Sequence, residues 1–156
     1  MIYFQWYEGM SVGVPLIDSD HKALIAIINE LHALTEAERG GETLKYVIRE
    51  LVRYTQFHFH REEKVLQACG YPNLAEHMQA HVGFIQYIND VRNSHIRNPD
   101  KLFREDILDY LKDWLKRHIL IDDMAYRPFI ENDPRANVAA LQGGPGLDEV
   151  RESVRD

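Results

Sequence analysis

One cysteine, Cys69, is present in 156 residues. A lone thiol excludes an internal disulfide and an iron–sulfur cluster, and it fits a reducing, cytoplasmic compartment. No apolar run approaches the roughly 20 residues that a membrane-spanning helix needs, so no membrane is expected as a partner. The opening stretch MIYFQWYEGM has neither the basic start nor the small-residue cleavage site of a secretory signal. Positive charge is also short: 18 Lys and Arg stand against 25 Asp and Glu, a formal charge of -7. Without a basic field to gather phosphates, nucleic acid is excluded as a partner.

What remains is a soluble globular composition, 45 % hydrophobic and 28 % charged, long enough for one domain with a real core. No repeat or second domain is visible. Residues 1–17 read as an extended arm, with Trp6, Val12, Val14, Leu16 and Ile17 broken up by Gly9, Gly13 and Pro15. Asp18 or Ser19 offers an N-cap for a first helix, which stops at Gly40-Gly41. A second helical pattern runs from about Glu42 to Ala68 and ends at Gly70, a residue that tolerates positive φ. The turn Tyr71-Pro72-Asn73 follows, with Asn73 and Glu76 spaced as a capping box for a third helix reaching about Arg97. Asn98-Pro99 breaks the chain, and a fourth helix runs from about Leu102 to Tyr126, before Pro128. The fold class is therefore all-α: an antiparallel up-down-up-down four-helix bundle with an extended N-terminal arm. It occupies residues 1–131, and 132–156, with LQGGPG and a charged end, is expected to be a flexible tail with room for a short terminal helix.

Histidine is the residue that stands out, with eight copies. Positions i and i+4 share a helix face. His77 and His81 have that spacing on the third helix, and His58 and Glu62 have it on the second. His21 opens the first helix, and His118 lies late on the fourth, followed by Asp122 and Asp123. Any one of these pieces has an ordinary explanation, since HxxxH and HxxxE pairs decorate solvated helices. Antiparallel threading, however, brings all four to the same end of the bundle. His32 serves as a control: it falls about 16 Å further along the first helix than His21, at 1.5 Å per residue. His95 is similarly remote and His60 points elsewhere, so all three are expected to be ordinary helix histidines.

Five imidazoles with two carboxylates are too many for one zinc ion, which takes four ligands. Two adjacent metals sharing bridging carboxylates suit the count, and mixed imidazole and carboxylate donors suit iron. Ideal α-helical geometry favours Asp122 as the partner of His118, because i+4 lies about 40° away and i+5 about 140°. A local π-type widening would instead bring Asp123 to that side.

The stretches W6…VGVPLIDSDH21, YTQFH58FHREE63, GYPNLAEH77MQAH81 and WLKRH118ILIDD123 resemble the haemerythrin family, in particular its bacterial branch, over about residues 1–130. That resemblance implies a four-helix bundle with two non-haem iron ions, oxo- or hydroxo-bridged. It places His77, His81 and His118 on one iron and His21 and His58 on the other, with Glu62 and Asp123 bridging. Asp123 is chosen over Asp122 on the family pattern, leaving Asp122 as an outward-facing acid. The iron with fewer ligands keeps a position for dioxygen.

Around these residues the sequence sets Leu24, Ile25, Tyr54, Val65, Leu66, Phe84, Ile85, Trp114, Ile119 and Ile121, mostly apolar. Core packing explains them, and a dry pocket also suits reversible oxygen binding. The expectation is an oxygen-binding protein for storage, transport or delivery rather than an enzyme, acting as a monomer. A di-iron peroxidase or small-molecule oxidoreductase acting on dioxygen or nitric oxide is the alternative, with Tyr54 as nearest proton donor. An oxygen-sensing or interaction module is the third. Cys69 is expected to be a buried small hydrophobe.

Overall fold

Helix α1, Pro15–Ala33, begins earlier than an Asp18 or Ser19 cap would place it. Val14 is extended at the N-cap and Pro15 occupies N1, where its fixed φ and missing N–H cost nothing. Asp18 lies within the first turn and reaches back to the arm, accepting the Val12 N–H at 3.0 Å and the Ser11 hydroxyl at 2.5 Å. The arm is thereby fastened, and Phe4, Met10, Val12 and Val14 are buried along it. Gly13 turns with φ 80°, and a Cβ there would come 2.8 Å from the Cβ of Glu131.

The computed structural model describes residues 2–34, 36–39, 41–97 and 105–155. Helix α2, Glu42–Ala68, ends in a Schellman turn. Gly70 takes φ 69°, the Tyr71 N–H donates to the Leu66 carbonyl at 3.0 Å, and the Gly70 N–H donates to that of Gln67. Helix α3 is Leu74–Arg97 and α4 is Glu105–Arg117. The expected break at Asn98-Pro99, the fourth helix's start at Leu102 and the side chain of His95 lie outside the described residues. A π-helical turn, His118–Asp123, follows α4, and α5, Met124–Ile130, runs on through Pro128. Pro128 forfeits a backbone hydrogen bond there, and the buried Tyr126 and Ile130 anchor the turn around it.

The register is antiparallel throughout. Leu31 near the end of α1, Ile48 near the start of α2, Ile88 late in α3 and Leu108 early in α4 line one cavity at the far end of the bundle. Between α3 and α4, Phe84 stacks on Trp114 and Tyr87 meets Tyr110, so one chain ascends as the other descends. Two apolar clusters form the core: a large one containing Leu24, Phe59, Phe84, Leu115 and Ile119, and a smaller one containing Ile17, Val65, Leu66, Tyr126 and Ile130. Along the chain His21, Glu62, His77, His81 and Asp123 fall between the two, with His58 and His118 at the edge of the larger.

Where a flexible tail is expected from the sequence, the structure has two helices, α6 (Pro134–Gln142) and α7 (Leu147–Arg155). Asp133 caps α6 through the Arg135 N–H, and Ala136, Ala139 and Ala140 are buried, the helix lying against α2. Small side chains permit that close approach, so a segment of low hydrophobicity still packs. Arg151 of α7 is buried and pairs with Glu30 of α1 and with Glu50 of α2, the latter at 2.8 Å. Cys69 is half-buried rather than buried, a free thiol pushed up by burial and by Asp133.

Candidate metal centre

All seven residues singled out from the sequence converge on one buried layer. His21, His58, Glu62, His118 and Asp123 are wholly buried, and His77 and His81 nearly so. The π-helical turn decides between the two aspartates. Because His118–Asp123 is widened to i→i+5 bonding, Asp123 faces the layer and Asp122 does not. Asp122 is not simply outward-facing: its carboxylate, 36 % exposed, sits 3.7 Å behind His118 at Nδ1, and that imidazole holds it below the usual carboxylate range.

The two carboxylates divide their oxygens between two groups of histidines. Glu62 Oε1 lies 2.5 Å from Nε2 of His77, 2.9 Å from that of His81 and 3.3 Å from that of His118. Its other oxygen, Oε2, lies 3.3 Å from Nε2 of His58 and 3.8 Å from that of His21. Asp123 repeats the division: Oδ1 is 3.2 Å from His118 and 3.5 Å from His77, while Oδ2 is 3.0 Å from His21. Every histidine turns Nε2 inward.

The electrostatics are unresolved by protein atoms alone. Burial pulls His21 down to about 4, helped by the charge on His58. Burial acts against His58 too, but the carboxylates of Glu62 and Asp20 outweigh it and hold that imidazole up at about 9. Glu62 would be raised by burial, yet His118 and His58 keep it well below the carboxylate range. Asp123 has no such relief, and burial followed by the charge of Glu62 pushes it well above. Both Asp123 oxygens and both nitrogens of His118 are buried without a hydrogen bond. Buried polar atoms left so are costly. Cations between the groups would satisfy them, and the donor set of imidazole and carboxylate fits such ions.

Residues the sequence reading overlooked complete the site. Tyr126, wholly buried, donates its hydroxyl to Glu62 Oε2 at 2.9 Å. Tyr54, expected as the nearest proton donor, is buried instead under the guanidinium of Arg151, and none of the layer's side chains is among its neighbours in that contact. The signal for Tyr126 was its position three after Asp123, on the same helical face. Glu63 stands 3.0 Å behind His81 Nδ1, and Asp20 stands 3.3 Å behind His58 Nδ1. Phe59 stacks flat on His81 at 3.8 Å, and Trp114 stacks on His118 at 4.8 Å. Ile121, expected beside the ligands, is 59 % exposed, because the same π turn that rotates Asp123 inward rotates Ile121 out. His32 stacks on Tyr3 and His60 is exposed, both away from the layer.

Fold and site together define a helical-bundle protein with a buried cation-binding centre of histidines and carboxylates. The family described as "Hemerythrin HHE cation binding domain" matches residues 12–130. The chain belongs to the hemerythrin family. It is 33 % identical over 127 residues to Bacteriohemerythrin of Stenotrophomonas maltophilia, covering 81 % of this chain and 80 % of that protein. It is 30 % identical to Bacteriohemerythrin of Clostridium acetobutylicum over 126 residues, 79 % of this chain and 98 % of the relative. The crystal structure of a wild-type hemerythrin, 25 % identical, superposes with a TM-score of 0.74 over 83 % of this chain and 98 % of its own. No helix among the described residues is long and apolar enough to cross a membrane.

Proposed function

We propose that the chain binds dioxygen reversibly at a centre of two iron ions. His77, His81 and His118 hold one ion, His21 and His58 hold the other, and Glu62 and Asp123 bridge them. The observation that carries this reading is the division of each carboxylate between the two histidine groups, which is the arrangement two adjacent cations require and one does not. Three imidazoles on one side against two on the other leave room for an external ligand beside His21 and His58. Two irons supply the electrons that dioxygen binding calls on.

The surrounding residues keep this ligand from being protonated. Leu24, Thr55, Phe59, Trp114 and Leu115 line a void of about 10 Å³ beside the layer, where Phe59 stacks on His81 and Trp114 on His118. The Thr55 hydroxyl is already donated to the Leu51 carbonyl, and that of Tyr126 to Glu62. An apolar wall whose few hydroxyls are already donated favours reversible binding over turnover. The test is an absorption spectrum of iron-loaded protein, reduced anaerobically, exposed to air and returned to argon. A visible band that comes with oxygen and fades under argon is expected. A band that persists, with a peroxide-dependent dye turnover absent from metal-free protein, would replace the carrier with an enzyme.

A further inference from the structure

Two helices lie beyond the stretch matched by the family, and they reach the site. The guanidinium of Arg61, on α2 next to Glu62, is buried at 3 % exposure. Its Nη1 donates to the carbonyls of Ala140 at 2.6 Å and Gly144 at 2.9 Å, and its Nη2 donates to that of Pro145 at 2.7 Å. These are the last carbonyls of α6 and its following loop, where the helix presents its negative end. The remaining donor, Nε, goes to Asp20 Oδ2 at 2.9 Å.

Asp20 of α1 is wholly buried, and its other oxygen accepts the Leu147 N–H at 3.2 Å, at the start of α7. Ser19 beside it accepts the Asp148 N–H at 3.2 Å. The first N–H groups of α7 are thus capped by side chains of α1. Gly146 makes this possible: a Cβ there would fall 2.7 Å from the Ser19 Cβ and collide with its hydroxyl. The same Oδ2 that takes Arg61 Nε also faces His58 Nδ1, at 3.3 Å. Of the three histidines with a carboxylate behind Nδ1, His58 alone has one that is wholly buried, since Glu63 and Asp122 are 26 % and 36 % exposed.

We propose that α6, α7 and their glycine-rich loop form a clamp that fixes Asp20 through Arg61 and Leu147, so that Asp20 orients His58 toward the metal layer. Asp20 and Arg61 are positioning residues in this scheme. It rests on His58 being a metal ligand, as read above. A carboxylate behind a ligating histidine sets its tautomer and ring orientation, and disturbing one typically weakens metal binding by roughly 10–100-fold.

The perturbation is Gly146→Val in the full-length chain, which touches neither His58 nor the carboxylates of the centre. Arg61→Lys is the second variant, because an ammonium cannot span Asp20 and three carbonyls. In metal-free protein labelled with 15N-histidine, the His58 Nδ1–H should exchange slowly in the parent and at least about 10-fold faster in both variants, with helix content unchanged. In iron-loaded protein, a chelator should withdraw one equivalent about 10–100-fold more readily while the other is held as before. Unchanged Nδ1–H exchange in both variants, or equal loosening of both equivalents, would overturn the clamp. A parent that holds fewer than two irons would refute the di-iron reading instead, and the exchange measurement would still decide this one.

Discussion

Replacing Asp123 with Asn should have opposite effects on the metal-free and the metal-loaded protein. In the metal-free protein both Asp123 oxygens are buried without a hydrogen bond, and Glu62 adds a like charge. His21, 3.0 Å away and pulled down to about 4, is neutral near pH 7 and offers no compensating charge. A buried group left in that state costs about 1–3 kcal/mol. An amide avoids both the burial of a charge and the cost of holding a carboxyl protonated above its usual range, so it should stabilise metal-free protein by about that amount, a rise of about 2–12 °C in melting temperature for a domain of this size. In the loaded protein, on the reading proposed above, the same change deletes a bridging anion. At least a 100-fold loss of metal affinity is expected, or about 2.8 kcal/mol. Asp122→Asn is the control: half-exposed and 3.7 Å from His118, it should alter either state by under about 1 kcal/mol. Calorimetric melting with and without iron, alongside chelator competition, reads all four quantities. Metal loss in Asp122→Asn with retention in Asp123→Asn would refute the assignment and the role given to the π turn.

In the Asp123→Asn background the opposing carboxyl is gone, and the histidines then govern metal-free stability. His21 is lowered by burial from 6.5 to about 4, so the unfolded chain binds more protons in that window and stability should rise with pH across it. His58 is raised to about 9 and His81 is raised as well, so stability should fall again above about 6.5; a flat urea midpoint between pH 4 and 9 would contradict both signs. Tyr126→Phe removes a buried hydroxyl bonded to a carboxylate without changing shape, and should lower unfolding free energy by about 1.5–3 kcal/mol. An unchanged denaturation midpoint would show that this bond does not form. Arg151→Ala leaves Glu30 and Glu50 without their shared cation and should speed amide exchange in α7 while α1 and α2 keep their protection. Uniform loss of protection would mean that α7 is no separate unit.

Much of this protein is legible along its chain because the relevant signals are local. The i,i+4 spacing of His77 with His81 and of His58 with Glu62, and the Gly70 that ends α2, depend only on helical geometry and backbone sterics. Antiparallel threading then brings four helices' ligand-type residues to one level, which is a consequence of chain order. Other features needed three dimensions. Asp122 and Asp123 differ by one position, and only the π-widened turn, held between packed neighbours, selects which faces inward. Tyr126 and Tyr54 carry the same hydroxyl, but burial beside Glu62 places one in the site and Arg151 covers the other. The final segment reads as a tail because low hydrophobicity is judged residue by residue, whereas its stability comes from small alanines fitting against α2 and from Arg61 and Arg151 finding partners more than 75 residues distant. Periodicity belongs to a single helix; capping in trans and charge compensation between helices exist only once the helices meet.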